Sequence, residues 1–139
     1  MEIEIRLGGG KKVDAHFDGY TVHTDQPAAL GGTGSAPSPF DLFLASIGTC
    51  AGYFVQNYCQ SRGLPTEGLR IVQRMTSDPV KHRITGVHLD IEAPQGFPEQ
   101  YLPSLVSAVN LCTVKKHLLQ PPALEVTTRL AAPAAMAAV

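Results

Sequence analysis

The chain has 139 residues, 44% of them hydrophobic and 17% charged, with eleven Lys and Arg against twelve Asp and Glu. That is ordinary globular composition. It excludes a mostly disordered chain, and the near-neutral charge offers no basic surplus for nucleic acid or anionic lipid. At roughly 100–200 residues per domain, one domain is expected over 1–139, with an Ala-rich tail at 131–139 that frays.

Residues 1–25 predict a three-stranded antiparallel meander. Ile3, Ile5 and Leu7 alternate with Glu2, Glu4 and Arg6, the period of a half-buried strand. Gly8-Gly9-Gly10 ends that strand. Val13, Ala15 and Phe17 share a face of the next, and Asp18-Gly19 is a hairpin turn before Tyr20–Thr24. Residues 26–38 are punctuated by Gly and Pro, and composition alone reads them as a plain mobile connector. Ser38 as N-cap and Pro39 at the first position then open a long helix that stops near Gly63, with Phe40, Phe43, Leu44, Ile47, Ala51, Phe54, Val55 and Tyr58 along one stripe. Strands follow at 69–77 and 84–93. A helical region runs from about Pro98 to Leu119, and Leu124, Val126, Thr128 and Leu130 suggest a last strand. The fold class is α+β with mainly antiparallel pairing. No apolar run is long enough to cross a membrane, and the acidic start Met1-Glu2-Ile3-Glu4 is unlike a secretory signal. A reducing cytoplasm is the expected compartment.

Three cysteines, Cys50, Cys59 and Cys112, carry the candidate chemistry. At 100° per residue, Phe43, Phe54 and Ile47 lie within about 60° of Cys50, which places Cys50 on the border of the apolar stripe. Cys59 falls on the opposite side of the helix and reads as a small core residue. If Cys50 pairs within the chain, its partner is Cys112. A reactive thiol must be a thiolate. Cys50 is about three turns into its helix, beyond the reach of that helix's own dipole, so a cation from elsewhere is expected to lower its pKa. Candidates are Arg6, Lys11, Lys12, Lys115 and Lys116. The five histidines show no close ligand spacing and there is no C-x-x-C, so no zinc site or other metal or cofactor is expected. A Cys/His hydrolase remains an open reading of the same residues.

The run from Leu30-Gly31-Gly32-Thr33-Gly34 through Pro39-Phe40-Asp41-Leu42-Phe43-Leu44 to Cys50 resembles the OsmC/Ohr family of organic hydroperoxide reductases. Asn110-Leu111-Cys112-Thr113-Val114 is similar to that family's second motif, Cys-Pro-Val. The spacing of 62 residues between the two cysteines fits the family. The resemblance implies antiparallel sheets packed around a long central helix in an intertwined homodimer, with no nucleic-acid or membrane partner. It implies that Cys50 attacks a peroxide, that Cys112 resolves the resulting sulfenic acid as a disulfide, and that a dihydrolipoyl-type dithiol or a small thiol reduces it. Phe40, Phe43, Ile47 and Phe54 would then line the organic substrate, and Lys11 or Lys12 would hold the thiolate. Two departures stand out. Phe40 occupies the place of the family's Glu, with Asp41 about 180° from Cys50, and Lys11 and Lys12 replace its Arg. The alternative reading is a non-catalytic domain of the same fold that binds a small ligand.

Overall fold

A computed structural model describes residues 1–133. Strands β1 (Glu4–Leu7), β2 (Val13–Phe17) and β3 (Tyr20–Thr24) form an antiparallel meander. Helix α1 (Pro39–Ser61) follows, then a hairpin of β4 (Arg70–Asp78) and β5 (Arg83–Glu92), then helices α2 (Leu102–Val109) and α3 (Thr113–Leu119). This mixed arrangement of helices and two antiparallel sheets is the α+β class expected from the sequence.

Local chemistry explains most boundaries. Asp18 (φ 47°) and Gly19 (φ 80°) take the two left-handed positions of a type I′ turn between β2 and β3. Helix α1 opens with a capping box. The Ser38 hydroxyl accepts from the Asp41 N–H at 3.2 Å, and the Asp41 carboxylate accepts from the Ser38 N–H at 3.2 Å. At its far end Gly63 (φ 64°) donates to the Gln60 carbonyl and Leu64 to that of Cys59, a Schellman closure. Between β4 and β5, Ile71 faces Ile91, Gln73 faces Leu89 and Met75 faces Val87. The two predicted apolar faces therefore coincide on one side of the hairpin.

The core lies where α1 crosses that hairpin. Val55, Cys59, Phe97 and Leu105 are buried together, with Leu64, Ile71, Ile91 and Val109 packed around them. Burial pushes the Cys59 thiol up. The meander, by contrast, makes only marginal contact with α1 and the hairpin. Its residues Ile5 and Leu7 are exposed within one chain, as are Phe40 and Phe43 on α1.

Three expectations are corrected. The helical region before Leu119 is two helices rather than one, because three successive short-range bonds (Asn110 to Ser107, Leu111 to Ala108, Cys112 to Val109) wind the chain too tightly to continue. The last strand, Leu124–Leu130, is not formed. Residues 121–133 carry no regular structure, and Leu124, Val126 and Leu130 are 84–96% exposed. A strand needs a partner for its backbone N–H and C=O groups, and this segment pairs with neither sheet. Residues 131–133 are exposed, and 134–139 lie outside the described residues.

The third concerns the connector at 26–38, which is braced rather than loose. Asp25, only 1% exposed, accepts from the hydroxyls of Thr33 (2.6 Å) and Ser35 (2.8 Å) and from the N–H of Gln26, Thr33 and Ser35. Those donors hold its carboxyl well below the usual carboxylate range, the Thr33 and Ser35 hydroxyls foremost. A carboxyl depressed in the folded state stabilises fully above its unfolded pKa of about 4, and that stabilisation is lost as pH falls through the folded value. Thermal melts from pH 7 to pH 3 should show stability draining away in acid. Asp25→Asn should melt at least about 5 °C lower at pH 7 and lose part of that acid dependence. Equal melting curves for the two proteins across this range would show that the carboxylate does not hold the loop.

Candidate functional site

Two elements build the site. Helix α1 carries Cys50 near its middle, half-buried, and the turn between α2 and α3 carries Cys112, fully buried. Gln73 on β4 seats α1 at this level. Its amide donates to the Leu44 carbonyl at 2.9 Å, and its Oε1 lies against Gly48, where a Cβ would come within 2.6 Å. Gly48 is two residues from Cys50, so the absence of a side chain there lets the sheet approach the helix.

Cys112 is the N-cap of α3, with an extended ψ of 122°, and its Sγ accepts from the Lys115 N–H at 3.4 Å. The Lys115 ammonium donates to Asn110 Oδ1 at 2.6 Å and so clamps the turn on both sides of Cys112. The turn delivers the Cys112 thiol to Cys50. All three cysteines are free thiols.

The electrostatics separate the two facing thiols. Burial raises the pKa of Cys50, but hydrogen bonds from the Cys112 thiol and from the N–H groups of Val114 and Thr113 outweigh it, and the net shift is downward. Cys112 is pushed up, first by burial, then by its role as donor to Cys50 and by the charge Cys50 acquires. Of the two thiols, Cys50 is therefore the one that gives up its proton more readily.

No lysine and no histidine is among the groups that shift Cys50 within one chain. Lys11 and Lys12 sit in the β1–β2 turn, with the Lys11 stem beside Gly31. Lys116 lies in the last turn of α3. Phe40 and Phe43 stack on each other at 5.6 Å near the start of α1, Ile47 is buried, and Phe54 packs edge-on against Tyr53 at 5.1 Å. Asp41 closes the capping box. Sequence reasoning sought a cation and missed the α3 amides, because it did not foresee a helix start at residue 113. It also missed Gln73, for which the only signal is the lone polar residue on an apolar strand face.

An apolar groove of about 550 Å³ runs past Cys112, lined by Ile47, Ala51, Leu89, Leu105, Cys112 and Lys115 among others. A second, of about 690 Å³, lies between β4 and the Ala45–Gly48–Gly52 face of α1. Among the described residues no three His, Cys, Asp or Glu converge as metal ligands, and no helix is long and apolar enough to cross a membrane.

The site is thus a pair of free thiols between a central helix and a short capped helix, in an α+β frame of two antiparallel sheets. The chain belongs to the OsmC-like protein family, whose pattern it matches over residues 32–127. Solved structures share the fold. One is a Psychrobacter arcticus protein named for osmotic stress and detoxification response (23% identity, TM-score 0.66, 82% of this chain and 85% of that one). Another is an OsmC-like protein from Mycoplasma pneumoniae (14%, 0.66, 86% and 87%). A third is a Vibrio cholerae protein named for organic hydroperoxide resistance, with captopril in one of its active sites (15%, 0.52, 84% of each chain). No curated protein matches the chain significantly.

Removing the Cys112 donor tests the source of the Cys50 shift. In Cys112→Ala, the rate of Cys50 alkylation at pH 6 should fall several-fold as its pKa rises, while the fast rate at pH 9 is kept. An unchanged pH profile would mean that Cys112 does not hold the Cys50 thiolate.

Proposed function

We propose that the protein is a homodimeric, thiol-dependent peroxidase that reduces organic hydroperoxides or hydrogen peroxide in oxidative stress defence in the cytoplasm. The observation that carries this reading is the facing pair Cys50 and Cys112, free, with their proton affinities shifted in opposite directions. Family membership supports a redox role of this general kind.

The Cys50 thiolate attacks the distal peroxide oxygen. An S–O bond forms, the O–O bond breaks, and the departing alkoxide takes a proton to leave as an alcohol, or as water from hydrogen peroxide. Cys50 is then a sulfenic acid. Cys112 attacks that sulfur, an S–S bond forms, and the hydroxyl leaves as water. A dithiol reductant, dihydrolipoyl-type, or two small thiols restore both cysteines and become a disulfide. No metal or organic cofactor enters any step. Phe40, Phe43, Ile47 and Phe54 contribute the apolar side that an organic peroxide needs, and Lys11 or Lys12, delivered across the dimer, adds a cation beside the thiolate. The exposed apolar face of the meander and the exposed Leu124, Val126 and Leu130 support an intertwined dimer, since uncovered apolar rows of this extent mark association surfaces. The apolar groove beside Cys112 favours a second reading, a non-catalytic binder of a small ligand.

Turnover separates the two. With dihydrolipoamide as reductant, the wild type should consume cumene hydroperoxide catalytically, Cys50→Ser should lose at least about a thousandfold, and the same sample should scatter light as twice the chain mass. Consumption no faster in wild type than in Cys50→Ser would discard the peroxidase in favour of the binder.

A further inference from the structure

Gln73 interrupts the apolar row of Ile71 and Met75 on β4 and faces Leu89 across the hairpin. A polar side chain in such a row is costly unless its groups are bonded, and an apolar residue would fill the place without that cost. The amide finds its partners on α1. Its N–H reaches the Leu44 carbonyl at 2.9 Å, with the Met75 sulfur at 3.6 Å. In a regular helix that carbonyl also accepts from the N–H of Gly48. The Gln73 Oε1 lies on Gly48 itself, where a Cβ would come within 2.6 Å. One side chain thus grips residues 44 and 48, a single turn of α1, with both of its polar ends. At 100° per residue, Cys50 stands about 160° round the helix from Gly48. Helix α1 is therefore held by β4 on one side and carries its thiol on the other, toward the turn that bears Cys112. The depth at which α1 seats on β4 sets where Cys50 stands. A disulfide tolerates little error, since Cα atoms more than about 7 Å apart cannot be bridged.

We propose that Gln73 is a positioning residue that, with Gly48 as its socket, holds Cys50 at bridging geometry to Cys112. The inference rests on the reading of these two thiols as a redox pair, but its test needs no peroxide.

The experiment titrates the reduced full-length protein in mixtures of glutathione and glutathione disulfide, with the Cys50–Cys112 cross-link quantified by peptide mass. One S–S bond forms in the protein as that of glutathione disulfide breaks, and two glutathione thiols carry off the two electrons and two protons. The equilibrium gives the effective concentration of one thiol at the other. Gln73→Met keeps the length and packing of the side chain but has no amide. Its effective concentration should fall at least about tenfold, with the melting temperature moved by no more than about 5 °C. Gly48→Ala expels the amide from the helix side. Alanine suits a helix interior better than glycine, so this variant should melt no lower than the wild type and still lose about tenfold in pairing. Both remove one contact, so the double variant should lose little more than either alone. Stability kept while pairing falls is the signature that a merely structural glutamine would not give. Should Gln73→Met fail to fold, Gly48→Ala carries the same test. Wild-type pairing in either folded variant overturns the proposal. So does a pairing loss seen only where the melting temperature collapses with it, and so does a wild type that forms no Cys50–Cys112 cross-link. A protein that turns over peroxide yet pairs equally well in wild type and variants contradicts this inference alone. Variants that lose pairing, beside a wild type without turnover, contradict the peroxidase alone.

Discussion

The site depends on one contact, the seating of the first turn of α3 against the middle of α1. A half-buried thiolate is costly unless hydrogen bonds to the charged form replace the water it has lost. In this protein the replacements are one thiol and two backbone amides, all delivered by the turn at Asn110–Cys112. The tight bonds that end α2 are therefore part of the chemistry. Had α2 run on through residue 112, Thr113 and Val114 would have spent their N–H groups on carbonyls one turn back, and Cys50 would face a helix side with no free donor.

The rest of the structure fixes the other half of that contact. Helix α1 is closed at both ends, by the Ser38–Asp41 box and by the Gly63 closure. Its middle is pinned to β4 by Gln73 over Gly48. Loss of a cap of the Ser38 type costs about 1 kcal/mol, a large fraction of the stability of a small domain. The buried ridge Ile47, Ala51, Val55 and Cys59 sets the rotation of the helix, and that rotation leaves Cys50 on the margin, sheltered yet open to a reagent. Asp25 does comparable work upstream, holding the loop from which α1 starts.

The legible parts of the sequence were those whose signals are local. Alternation in β2 and in the β4–β5 hairpin, the Asp18-Gly19 turn, and the Ser38, Pro39 and Gly63 punctuation of α1 all act within a few residues, and each element formed where they placed it. The placement of Cys50 on the stripe border followed from the same periodicity. What escaped needs information from distant residues or another chain. The segment Leu124–Leu130 has the right alternation but pairs with neither sheet. The break at Cys112 lacks Gly or Pro to announce it. The brace at Asp25 draws on Thr33 and Ser35, eight and ten residues away, and no periodicity marks such a network. The source of Cys50 activation escaped for a related reason: charged side chains can be counted in a sequence, whereas free amides exist only where a helix begins.

The most direct test of the account is the intact mass of the reduced protein after one equivalent of cumene hydroperoxide, followed over seconds. The account predicts loss of two free thiols and a mass lower by two hydrogens, with the Cys50–Cys112 cross-link recovered in the digested protein. A mass and thiol count that survive a large excess of peroxide for minutes would contradict it.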